Sequence, residues 1–236
     1  MNYDHYNDVA TLFDFPGPEF AARGQPLSAR LCERYPEAAA EVRHFFAGIP
    51  SKMLDQQELH TRTFDVQSIT TLDIGYVLFG DDYKRAELLS NLTREHQQVA
   101  NDCHGELADH LPNVLRLMPR LADAQLVEEL AREILAPALM LMIREFDAER
   151  IDKKNVSYQK HFKTLIDSAP GSERTIYCRA LSALLHVVTT DFPVTEQMTR
   201  LAEWSGHKFS ADFLGLVEKE MDIENNANPV NSGCDS

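Results

Sequence analysis

No two cysteines of this chain are spaced as CxxC. Cys32, Cys103, Cys178 and Cys234 lie scattered over 236 residues, which argues against a disulfide framework and fits reduced thiols in a cytoplasm. Long apolar runs are missing too. The longest uncharged one, Ile134 to Ile143, is about half of what a membrane-spanning helix needs. The opening MNYDHYNDVA has no basic region followed by an apolar core, so no secretory signal is expected. There is no G-x-S-x-G elbow, and Gly75 and Gly80 stand isolated rather than in a phosphate-cradling loop. Hydrolase and nucleotide-binding readings are therefore unsupported. No β-hairpin signal and no internal repeat is found. Basic residues are the minority, 23 against 37 acidic, for a formal charge of −14. Such a surface repels nucleic acid and anionic membrane and attracts basic partners.

What is present is an ordinary apolar content of 44% with 25% charged residues, enough for a buried core. The dominant period is helical. Tyr6, Val9, Ala10 and Phe13 make the stripe of a first helix, stopped by Phe15-Pro16-Gly17-Pro18. Helices are expected over Leu27–Tyr35 and Glu37–Ala47, and next after a Ser51 cap, carrying Leu54, Leu59 and Phe64. Residues 68–79 carry both a helical and an alternating pattern. With no partner strand in view a helix is expected, because an orphan strand leaves its backbone groups unpaired. Gly80 suits its end, and Asp81 or Asp82 caps the next, with Ala86, Leu89, Leu92, His96 and Val99 along one side. Asp109 caps another, which makes Pro112 harmless in its first turn. Asp123 begins a helix that Pro137 kinks or restarts and that runs to about Arg150. Further helices are expected over Val156–Ser168, Ser172–Val188 and Pro193–Trp204. The class is all-α, a single bundle of roughly nine or ten helices over residues 1–221, with a disordered Asn-rich tail over 222–236.

Chemistry-bearing residues crowd one place. His96, Asp102, Cys103, His104, Glu106, Asp109 and His110 fall within fifteen positions. Zinc takes about four N, S or O donors, and this spacing matches no established finger. A di-iron bundle needs two Glu-x-x-His pairs, whereas Glu106 and His110 stand four apart without a second copy. A small metal-binding helical protein or enzyme using the cluster is the alternative reading of this segment. Asp109-His110 also has the composition of an acid–base pair. The simpler reading makes Asp109 a helix cap and His110 a partly buried hydrogen-bonding neighbour. Tyr76 and Phe79 read most simply as core, Asp81 and Asp82 as cap and first-turn acids.

The combination says more. Glu106-x-x-Asp109-His110-Leu111-Pro112 resembles the E-x-x-D-H-L signature of the TorD/DmsD/NarJ superfamily, cytoplasmic chaperones of molybdenum enzymes. The continuation Asn113–Leu117 resembles the NarJ branch. Upstream, Phe64-Asp65 matches the end of that branch's Y-x-x-x-F-D element, with His60 in place of the tyrosine, and the run Leu72–Leu89 resembles the stretch that follows. The resemblance is good from His60 to Met118, looser to Phe146, and elsewhere only one of helical character.

It implies an all-α chaperone that is not an enzyme and carries no cofactor of its own. Its partner would be the N-terminal segment of an apo molybdoenzyme catalytic subunit of the nitrate reductase type. It would hold that subunit until the molybdenum cofactor and iron–sulfur cluster are in place, and then leave. A basic, partly apolar segment needs an acidic rim and an apolar groove. Glu106, Asp109, Asp81 and Asp82 are the expected rim, since carboxylates receive guanidinium groups bidentately. Tyr76, Phe79, Leu111 and Leu115 are the expected walls, with His110 tuning the site. Glu106 is expected on the connecting loop, beside a loop–helix junction near the Asp81–Asp82 turn. A plain helical interaction domain for another basic partner is the third reading.

Overall fold

In the computed structural model, residues 2–152 and 175–193 are described. They form helices α1 (His5–Ala10), α2 (Gly24–Leu31), α3 (Pro36–Gly48), α4 (Met53–Phe64), α5 (Ile74–Phe79), α6 (Tyr83–Gln98), α7 (Leu111–Leu117), α8 (Ala124–Glu129), α9 (Ala136–Arg144) and α10 (Tyr177–Asp191). The all-α bundle expected from periodicity is the observed class. The helices expected over Val156–Ser168 and Pro193–Trp204, and the tail, lie outside the described residues apart from Pro193. No helix among the described residues is long and apolar enough to cross a membrane.

Helix α3 lies between α2 and α10, α10 continues onto α9, α9 meets α5, and α7 packs on α1. The centre is aromatic. Tyr177 of α10 is met edge-on by Phe64 of α4 at 4.9 Å and lies 5.0 Å from Phe45 of α3. Burying side chains of this size contributes roughly 1.5–3 kcal/mol each. His60, in the position where the resemblance asks for a tyrosine, is buried in this cluster against Phe15, Phe64 and Tyr177. Its Nε2 donates to the Phe13 carbonyl at 3.2 Å, and burial holds its pKa below the ordinary histidine value. At the far end of α10 the buried Asp191 accepts from His5 (2.7 Å), Tyr35 (2.8 Å) and Arg34 (2.6 Å), tying both ends of the described chain together.

Several expectations are corrected. Residues 68–73 are not helical. Instead Ile74 N–H donates to the Asp109 carbonyl (3.1 Å) and Leu111 N–H to the Leu72 carbonyl (2.8 Å), an isolated antiparallel bridge between Asp73 and His110. The missing partner strand exists as a single residue pair, and other backbone groups bond locally, Ile69 and Thr70 N–H to the Thr63 carbonyl and Asp73 N–H to Thr71 Oγ1. Leu54 is 72% exposed rather than packed. Ala86 is exposed, and the buried side of α6 is Leu88, Leu92 and His96. The helix through Pro137 follows a π-helical turn over Leu130–Leu135, a widened repeat that relieves a proline unable to donate to the preceding turn. It ends at Arg144 rather than Arg150.

Candidate functional site

The Asp73–His110 bridge brings two distant stretches of sequence onto one spot. Helix α6 begins at Asp82, whose side chain accepts from Lys84 N–H at 3.0 Å, as expected of an N-cap. That start sets Arg85 in the first turn. Its guanidinium reaches inward, Nε donating to Asp109 Oδ2 (3.2 Å) and a terminal nitrogen to Asp73 Oδ2 (3.1 Å). His110 Nδ1 donates to the other Asp73 oxygen at 3.1 Å, which places the imidazole proton on Nδ1. The Tyr76 ring lies 5.2 Å from the Arg85 guanidinium carbon and is 45% exposed, so it roofs the network. Beneath, a Cβ on Gly75 would stand 2.6 Å from Asp109 Oδ2.

The two carboxylates respond oppositely. The His110 hydrogen bond, assisted by Arg85 and opposed by burial, holds Asp73 below the ordinary carboxylate range. Burial first, and then the charge of Asp73, raise Asp109, against the pull of Arg85. The difference follows from solvent: Asp109 is fully buried, and its Oδ1 has no hydrogen-bond partner.

On the far side of the same loop is an open cleft of about 530 Å³, lined by Thr93, His96, Asn101, Asp102, Glu106 and Leu107 among others. Its back wall is fixed. His96 Nε2 donates to the Ala108 carbonyl (3.1 Å), and His96 Nδ1 accepts from the Asn101 amide (2.8 Å). Asn113 of α7 donates to the carbonyls of Cys103 and Leu107. The loop turns through positive φ at Ala100 (51°), His104 (51°) and Gly105 (86°), and the two non-glycine residues hold a conformation that costs energy. Asp102 and Glu106 are exposed at the rim, and Leu107 is 47% exposed beside them.

The expected site residues divide accordingly. Glu106, Asp81 and Asp82 are exposed acids, Tyr76 is exposed, and Phe79 and His110 are half-buried. Three assignments are corrected. Asp109 is neither a cap nor a rim acid: His110 is the cap residue of α7, and the Asp109 carboxylate is turned inward to Arg85. Leu111 and Leu115 are wholly buried and belong to the core rather than to a groove wall, on a helix that packs against α1. Nor is there one rim: Asp82 and His96 stand at opposite ends of α6, about 21 Å apart at 1.5 Å per residue. The metal reading of residues 96–110 finds both His96 nitrogens already bonded, and among the described residues no three His, Cys, Asp or Glu side chains converge as metal ligands do.

Sequence reasoning passed over Asp73, Arg85 and Gly75. The isolated Gly75 inside an apolar run was the available signal, since such a glycine marks close approach of another group. Comparison with protein-family models, with curated proteins and with solved structures gives no match for this chain.

Proposed function

We propose that this chain is an assembly chaperone of the NarJ type, binding the N-terminal segment of an apo molybdoenzyme catalytic subunit. The observation that carries the reading is the cleft at residues 93–108. It has exposed acids at its rim (Asp102, Glu106) with apolar lining beside them (Ala100, Leu107, Ala108), and it opens beside the E-x-x-D-H-L string. That combination suits a segment with both basic and apolar side chains. The spacing supports an extended guest. Some 21 Å separates the cleft end of α6 from the exposed Asp81–Asp82 turn, which about six or seven extended residues would span. Exposed ion pairs contribute only ~0–1 kcal/mol each, so the apolar side chains supply most of the affinity. The −14 charge speeds encounter and makes it salt-sensitive.

The test is calorimetric titration of the chain with the N-terminal peptide of a nitrate reductase-type catalytic subunit. Binding that weakens with salt, and weakens again in Glu106→Ala without change in melting temperature, is expected. Absence of heat at low salt and high concentration overturns the reading.

A further inference from the structure

We propose that Asp73 and Asp109 form a guanidinium site which the chain fills with its own Arg85, and that an arginine from a ligand enters it by exchange with Arg85. Only the identity of the incoming arginine rests on the peptide-binding reading. The site itself stands on geometry.

Two carboxylates share one guanidinium here. Arg85 gives one N–H to Asp109 Oδ2 and one to Asp73 Oδ2, so it forks across two acids rather than engaging either bidentately. Asp109 Oδ1 is left buried with no donor, although a carboxylate accepts at both oxygens. The resident cation is thus under-matched to the site, and an incoming guanidinium can offer the second donor that Asp109 lacks.

The surroundings are those of a site for a planar cation. The half-exposed Tyr76 ring faces the guanidinium and supplies a surface on which a second one can stack. Gly75 keeps open the volume that the Asp109 carboxylate occupies. The way in is short, because side-chain exposure is 16% at Arg85 and 27% at Asp73, against none at Asp109. Arg85 hangs on a flexible side chain from the first turn of a helix whose Asp82 cap is independent of the network. It can therefore swing out by rotamer change, with α6 intact. Arg85 then acts as an internal competitor, and the apparent affinity for an arginine-bearing ligand is scaled by the fraction of chains in which it has left.

The experiment uses the full chain, wild type and Arg85→Ala. Melting temperature is followed with methylguanidinium or methylammonium added at constant ionic strength. Arg85→Ala is expected to melt lower, to recover with methylguanidinium but not with methylammonium, and to lose that recovery when Asp109→Ala is added. If the open arrangement is populated at about a tenth, Arg85→Ala binds the basic peptide about tenfold more tightly than wild type. No recovery with methylguanidinium overturns the site. Recovery with unchanged or weaker peptide affinity overturns the exchange. Should neither protein bind peptide, the chaperone reading fails and the exchange with it, while the methylguanidinium arm still decides the site. If Arg85→Ala does not fold, Arg85→Lys keeps the charge without the fork, and the same two readings apply.

Discussion

Gly75→Ala gives a direct measure of how tightly the buried network is built. Gly75 is the second residue of α5, and in a helix alanine is favoured over glycine by at most ~1 kcal/mol. Were the site open, the substitution would stabilise the protein. Here the new methyl would stand 2.6 Å from Asp109 Oδ2 and 3.1 Å from Leu88 Cδ2. Leu88 can give by a few tenths of an ångström. Asp109 cannot, since it is fully buried and held by Arg85. Overpacking costs roughly 1–3 kcal/mol, and losing a charged hydrogen bond another ~1.5–3 kcal/mol. After the propensity gain, a net loss of about 3 kcal/mol remains, which lowers the melting temperature by roughly 6–12 °C for a chain of this length. The assay is thermal and denaturant unfolding of a four-member cycle: wild type, Gly75→Ala, Asp109→Ala and the double variant. In the Asp109→Ala background the carboxylate is gone, and Gly75→Ala should become neutral or stabilising. Equal destabilisation in both backgrounds, or stabilisation of the wild type, refutes the contact between Gly75 and Asp109.

Two other expectations follow from burial and charge. Acid should unfold the protein through Asp73 and Asp191. His110 and Arg85 hold the first low against its burial. For the second, burial pushes upward, but hydrogen bonds from His5 and Tyr35 and the charges of His5 and Arg34 outweigh it. Both contribute stability that is complete above the unfolded carboxylate value of about 4 and is lost as pH falls through their lower folded values. Asp109, raised, works the other way, so melting curves between neutral pH and about pH 3 should fall more steeply for Asp109→Asn than for wild type; stability rising throughout acidification would contradict this. Leu115→Ala should cost about 2–5 kcal/mol as a core truncation and leave the peptide affinity of the folded protein unchanged. A variant that folds normally but no longer binds peptide would return Leu115 to the binding surface.

Much of the architecture was legible from local signals. The Asp82 and Asp123 caps, Gly80 at the end of α5, Pro36 at the start of α3, and the Tyr6–Val9–Ala10 stripe all depend on neighbours within a turn or two, where propensity and period act directly. The failures that shape the site are non-local. Residues 68–73 read as helix because what ends the segment, the Leu72 carbonyl accepting from Leu111 N–H, involves a partner some forty positions downstream. Asp109 read as a cap because its cation, Arg85, is separated by 24 positions and by a change of direction. Leu111 and Leu115 read as groove walls because a stripe shows which side of a helix is apolar, not what covers it.

The sequence by itself determined the helical class, the Asp82 and Asp123 caps, the acidic excess and the crowding of chemistry into residues 96–110, because each is a property of composition or of spacing along the chain. Only the tertiary structure decided which acids face water. The backbone bridge between Asp73 and His110 turns Asp109 inward onto Arg85 and leaves Asp102 and Glu106 outside at a cleft. The reason is physical: a carboxylate's role is set by its desolvation and by the cation it meets, and both depend on chain segments brought together only by folding.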